Sequence, residues 1–296
     1  MNWELLLWPL LACLLLPGLL VYLGLHIVRR EIIFVDLALA QVAALGICLA
    51  ILRGQHDKYL SLPFHFAGAM EPFSRISVSY LWSLSFTIIG AAIFTLTRNT
   101  VNHRVPQEAL IGIVYVVAAA LGILLLSKSA EGKEELQRTL VGEVLLVQPR
   151  QVLGNLVLYA LIGVVHFIFR EKFFALSFCS HDDARHQGVS RWWDFLFYAL
   201  FGWAVTSFVE IGGVLLVFSY LIVPAVCANF LAQRFGALLA IGWATATLGS
   251  VTGIFVADHW DYPIGAAIVC VLGVLLIVAA VLAKFLNSPR ASAPPT

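Results

Sequence analysis

Asp36 and Gln41 are polar side chains placed where hydrocarbon is expected. They stand in EIIFVDLALAQVAALGICLA, residues 31–50, a run otherwise apolar after Glu31. An acid or amide in a lipid-spanning helix costs free energy unless water, a cation or protein replaces lipid around it, so such a residue is a functional candidate. Measured from Ile32, Gln41 lies about 13–14 Å along the axis, near the midplane of a core about 30 Å thick. Its carbonyl is a neutral ligand for a passing cation, and its amide could equally bond a neighbouring helix. Asp36 lies only about 6 Å from the end that carries Arg29 and Arg30. There it could line a vestibule or pair with either guanidinium. Five positions turn a helix by about 140°, so Asp36 and Gln41 cannot easily grip one ion together.

The elements that must hold these residues are apolar runs. Of 296 residues 61% are hydrophobic and only 12% are charged, about half the charged fraction of soluble domains. The fold class expected is all-α, a polytopic integral membrane protein of about nine transmembrane helices. The expected spans are 5–28, 32–52, 77–97, 110–127, 152–169, two within 195–231, then 235–257 and 262–283. The run 195–231 is too long for one crossing at about 1.5 Å per residue. It is divided at Glu210, which Gly212 and Gly213 follow. Residues 1–286 are expected to form a single transmembrane domain, and 287–296 (NSPRASAPPT) has the composition of a flexible cytoplasmic tail. An N-out, C-in orientation puts eleven of the 18 Lys and Arg residues inside, as the positive-inside rule favours. The net charge of +1 and the lack of a basic cluster give no sign of a nucleic-acid partner.

Other polar residues invite structural readings beside functional ones. His56, Asp57 and His65 fall in the outer segment 54–76 and could receive a cation, though exposed loop histidines are common. Glu210 marks an outer helix end or faces a path. Glu108 suits the first turn of its own helix, where the dipole favours an acid. His26 and His166 lie near inner helix ends. Asp258, His259 and Asp261 form an outer cluster that could dock a delivering protein. Leu140–Val147 (LVGEVLLV) is too short to span and suits an interfacial or re-entrant turn. The five cysteines include no C-x-x-C, so neither a disulfide framework nor a thiolate metal site is expected. No H-E-x-x-H and no G-x-x-x-x-G-K-[ST] occurs, so any ATP chemistry must come from another chain.

Four stretches in order resemble the membrane-spanning permeases of ATP-driven metal importers, the zinc, manganese and iron uptake type. They are Arg30–Phe34 leading to Gly46, then LVGEVLLV, then Gly213–Leu216 through Leu221–Ala225 (GVLL…LIVPA), and Asp261–Gly265 (DYPIG). Pro224 would bend a long helix, Gly212 and Gly213 would permit a reversal, and Pro263 with Asp261 would open the last helix. The inner loop 177–194 (SFCSHDDARHQGVSRWWD) is similar to the family's D-x-A-(x)3-G-V at Asp182, Ala184, Gly188 and Val189. The resemblance implies that this loop is a coupling helix seated on a separate ATPase subunit, and a solvated cytosolic loop is the plain alternative. Counted back from Gly46, Gln41 stands where the family has a histidine and Leu37 where it has an aspartate. The acid is thus displaced by one residue, to Asp36. The resemblance further implies a homodimer, an extracytoplasmic metal-binding protein, ATP used through the partner subunit, a divalent metal as cargo, and a multi-pass place in the bacterial inner membrane. The chain itself would not be an enzyme. An ion-coupled secondary transporter using intramembrane acids is the alternative.

Overall fold

The computed structural model describes residues 3–55, 58–61, 75–97, 106–127, 134, 137, 140–178 and 190–286. The helices are α1 (Trp3–Arg29), α2 (Val35–Leu52), α3 (Val78–Thr97), α4 (Gln107–Leu126), α5 (Pro149–Ile168), α6 (Arg170–Phe178), α7 (Arg191–Leu231), α8 (Phe235–Trp260) and α9 (Ile264–Leu286). The all-α, polytopic expectation is met. A short antiparallel ladder is added between α2 and α3, with β1 (Tyr59–Ser61) against β2 (Arg75–Ser77) and Leu60 opposite Ile76.

Eight of these helices are long and apolar enough to cross a membrane. The longest, α7, has 41 residues and would be about 60 Å long if continuous, twice the hydrocarbon core. It is not continuous. Gly213 stands at φ 70 and ψ 167, a non-helical conformation that separates limb 191–212 from limb 214–231. The sequence places the division at Glu210, and the chain makes it three residues later. The backbone stays helical through Pro224, and Gly213 alone leaves it.

The reason lies in another segment. Gly142, at φ 74, crosses the break so closely that a Cβ on it would overlap the backbone of Gly212. A Cβ on Gly213 would in turn meet the backbone of Leu140, Val141 and Gly142. Positive φ and this close approach both require glycine. The Glu143 amide donates to the Ile211 carbonyl at 3.1 Å, satisfying backbone that the break would leave bare. The LVGEVLLV segment therefore threads into the bundle, with Val144 and Val147 buried and a 3-10 turn at Val144–Leu146.

Helix α7 is the hub, packed on α1, α2, α3, α8 and α9. Of its most apolar window 72% is buried, against 22% for α4, which therefore lies at the periphery. Phe197, Phe201, Phe208 and Tyr220 of α7 are wholly buried. A polar seam joins it to α3: Thr87 bonds Thr206 at 2.8 Å, and Tyr80 bonds Ser207 at 2.6 Å while accepting from the Trp203 indole at 2.8 Å. Hydroxyls paired in this way hold helices together where lipid offers no partner.

Candidate functional site

The polar groups most in need of explanation gather where α1 turns into α2. Helix α1 ends at Arg29, Glu31 takes a left-handed φ of 56, and α2 starts at Val35, three residues later than the sequence suggests. Asp36 thereby falls in the first turn of α2, where the dipole favours an acid. Gln41 lies about 7–8 Å further along the axis.

Arg30 does not pair with Asp36. Its Nη2 donates to Oδ1 of Asp194 at 2.5 Å, with both side chains buried. Its guanidinium also lies over Phe197 and Tyr198, 4.5 and 4.9 Å from the ring centroids. One helical turn earlier, His26 Nδ1 is 2.8 Å from the Ser177 hydroxyl. The two ends of the loop 177–194 are thus fastened to the end of α1 and the residue after it. Its middle, with Asp182, Ala184, Gly188 and Val189, lies outside the described residues, as do His56, Asp57, His65 and the tail 287–296.

Asp36 is left with little. Its side chain is 1% exposed, and beyond the amides of its own turn neither carboxylate oxygen reaches a hydrogen-bond partner. Glu108 approaches the same place from α4. Its Oε1 accepts the Phe34 amide at 2.9 Å, which caps α2, while its Oε2 is buried without a partner. Glu108 is a first-turn acid of α4 that serves the start of another helix. A buried carboxyl group and a half-buried one, each with a spare oxygen at one helix start, form a site suited to a cation or a proton.

Gln41 belongs to a different place. It lines a narrow cavity with Ala44, Cys48, Ala118, Gly122 and Leu140, between α2, α4 and the threaded segment. Its volume of about 20 Å³ admits about one water. Asp36 is not among the lining residues, so the two polar residues of α2 face separate surroundings. No group of three or more His, Cys, Asp or Glu suited to a metal occurs among the described residues.

The remaining candidates sit as follows. Glu210 is exposed on the first limb of α7, beside the break. Gly212 and Gly213 form the break itself, with Pro224 buried in the second limb. Asp261 ends α8 in a left-handed conformation, φ 56. Pro263 stands just ahead of α9, its carbonyl accepting the Ala267 amide at 3.0 Å. Asp258 and His259 are exposed at the same end. Sequence reasoning missed two participants. Asp194 and Glu108 reach the site only through contacts 164 and 74 residues apart in the chain.

Comparison with known proteins places this arrangement. The fold is that of a chain in "PsaBC from Streptococcus pneumoniae in complex with Fab", with a TM-score of 0.75, 19% identity, and 97% of this chain and 96% of that one covered. The Listeria innocua "Manganese transport system membrane protein MntC" is 26% identical over 222 residues, covering 73% of this chain and 76% of that protein. A Haemophilus influenzae "Probable iron transport system membrane protein" is 27% identical over 186 residues, covering 62% and 67% respectively. Residues 2–283, nearly the whole chain, match the ABC 3 transport family, and to that family the chain belongs.

Proposed function

We propose that this chain is the membrane-spanning subunit of an ATP-driven importer for divalent metal ions of the manganese, iron or zinc class. The observation that carries this reading is the family match over residues 2–283. The relatives named for manganese and iron transport support the choice of cargo. The chain lies N-out and C-in in a bacterial inner membrane and works as a homodimer. It receives metal from an extracytoplasmic binding protein and takes its power from cytoplasmic ATPase subunits.

The loop 177–194 carries the drive. Its ends, fastened to α1 through His26–Ser177 and Arg30–Asp194, support a mechanism in which ATPase closure pulls the end of α1. The five-residue turn that follows leads directly to Asp36. Movement there alternates the access of the α2 acids between the two sides, an equilibrium biased by ATP. Asp36 then offers a transient oxygen stop for the ion, with Glu108 beside it and Gln41 deeper along the helix. Oxygen-only ligands hold a divalent ion weakly enough to let it leave.

The test is reconstitution of the full complex in vesicles, with metal-stimulated ATP hydrolysis and uptake of Mn²⁺, Fe²⁺ and Zn²⁺ measured together. Uptake of at least one ion that stops without ATP is expected. Deleting residues 182–189 should abolish capture of the ATPase subunit, and undisturbed capture would overturn the coupling assignment. The unpaired Asp36 also suits an ion-coupled carrier. Uptake that survives without any ATPase and collapses with ionophore would select that alternative.

A further inference from the structure

Beside α1 lie two hollows that share Tyr22 and Arg170 and are taken together as one groove. Its upper part, about 450 Å³, lies between α1, α5 and α8. Helix α1 supplies Leu15, Gly18, Leu19 and Tyr22, a single stripe at i, i+3, i+4 and i+7. The walls are one face of α5, from Leu156 to His166, and Leu239 and Trp243 of α8. A lower part, about 420 Å³, continues past Tyr22 and Arg170 to His26, Phe174 and Phe235. The upper part runs about 15 Å along α5, the depth of one leaflet of a core about 30 Å thick.

Its chemistry is apolar along the length and polar at one end. Two buried imidazoles line that end, His166 at 2% and His26 at 1% exposure, with the Tyr22 ring between them at 5.6 and 4.7 Å. Each bonds through Nδ1, His166 with the Ile162 carbonyl at 3.0 Å and His26 with Ser177, and each leaves Nε2 without a partner. Buried ring nitrogens left bare are costly unless a ligand supplies the bond. The rim is cationic. Exposed Arg170 lies over Phe167 at 5.1 Å, Arg29 lies over Phe178 at 5.7 Å, and Arg234 precedes the groove-lining Phe235, whereas Glu171 is the one acid among the described lining residues.

We propose that this groove is a binding site for an anionic phospholipid with a hydroxylated headgroup, of the phosphatidylglycerol class. One acyl chain lies along α1 between α5 and α8, the phosphodiester meets the Arg170 guanidinium, and headgroup hydroxyls bond to the two free Nε2 atoms, donating to that of His166. Charge complementarity at the rim, one-leaflet length and two unsatisfied ring nitrogens together favour this occupant over a second copy of the chain. The match to the inner leaflet rests on the N-out orientation, whereas the binding itself does not.

The experiment is native mass spectrometry of the detergent-purified full complex titrated with phosphatidylglycerol, phosphatidylethanolamine or phosphatidylcholine, with thermal stability read in parallel. Phosphatidylglycerol is expected to bind at least tenfold more tightly than either zwitterionic lipid, with a stoichiometry of one per chain. Arg170→Gln should remove most of that preference. His166→Phe, which keeps the ring stacked on Phe173, should weaken phosphatidylglycerol while leaving phosphatidylcholine unchanged. Equal binding of all three lipids would overturn the headgroup assignment. A cysteine pair at Gly163 and Trp243 that crosslinks two chains and excludes lipid would assign the groove to a second copy instead. Metal uptake in vesicles of pure phosphatidylcholine, against vesicles containing phosphatidylglycerol, separates failure of this site from failure of the transport reading.

Discussion

Asp194 and Asp36 are both buried acids at the same end of the bundle, and their surroundings are opposite. Asp194 has a guanidinium at 2.5 Å that is itself sandwiched against Phe197 and Tyr198. Asp36, no more exposed, has only the amides of its own turn. A buried charge is tolerated when paired and is costly when not. The paired acid therefore reads as a fastening, and the unpaired one as a group kept for something that comes and goes. Under the function proposed above, the difference assigns the paired acid to the transmission of force and the unpaired one to the meeting with cargo.

The comparison is broken most severely at Arg30. Arg30→Ala strips the partner from Asp194 and should cost about 3–5 kcal/mol, read as a large drop in thermal midpoint of the purified protein. Replacing both partners with apolar residues, Arg30→Met with Asp194→Leu, should recover most of that stability, because no uncompensated charge remains. It should not recover ATP-dependent uptake if the pair carries motion from the loop to α1. Recovery of both would reduce the pair to packing.

Next in size is the crossing of the two glycines. Gly213→Ala forces a Cβ into the backbone at 140–142 and a side chain into positive φ, for an expected loss of about 1–3 kcal/mol. Gly163→Ala meets open space and should lie within about 0.5 kcal/mol of wild type. Thermal unfolding of the two variants side by side checks whether the threaded segment holds the break open. Equal stability would remove it from that role.

How much of this was legible in the sequence follows from what each feature depends on. The spans are written as apolar runs because lipid selects composition locally, and the helices formed where those runs lie. The break was expected at Glu210, the only charge in the run, but Gly142 of another segment decides it, and no local signal at 210 reports that crossing. Helix α6 was hidden inside a polar inner loop. Its charges Arg170, Glu171 and Lys172 masked a buried face at Phe173, Leu176 and Ser177, whose i, i+3, i+4 spacing was available as a signal. Arg30 was expected near Asp36 because the two are close in sequence. A turn with left-handed Glu31 directs Arg30 to Asp194 and leaves Asp36 without a cationic partner. Asp36 and Gln41 could be chosen as polar residues in a helix. That Asp36 shares its place with Glu108 depends on how α4 packs, and that was not legible.

A smaller effect is expected at Glu108. Its carboxylate caps α2 through the Phe34 amide, and Glu108→Ala should cost about 1 kcal/mol, the usual worth of a cap. Glu108→Gln keeps an acceptor for that amide and should be milder in thermal unfolding. If the two variants are equally stable, the cap contributes nothing and only the acid's nearness to Asp36 remains of interest.

The least change in folding is expected at Asp36, and there the comparison is sharpest. Asp36→Asn preserves shape and removes a charge that no side chain compensates, so stability should stay within about 1 kcal/mol of wild type or rise slightly. Metal uptake by the reconstituted complex should nonetheless fall at least tenfold, with basal ATP hydrolysis retained and its stimulation by metal lost. Asp194→Asn should do the reverse, losing stability because Arg30 is left with a neutral partner in a buried place. If both variants lose stability alike, Asp36 is a structural acid whose partner was overlooked. If Asp36→Asn leaves uptake untouched, the ion does not pass this carboxylate, and Gln41, tested as Gln41→Ala against Gln41→His for a change in rate or ion preference, becomes the side chain of α2 on which the path must turn.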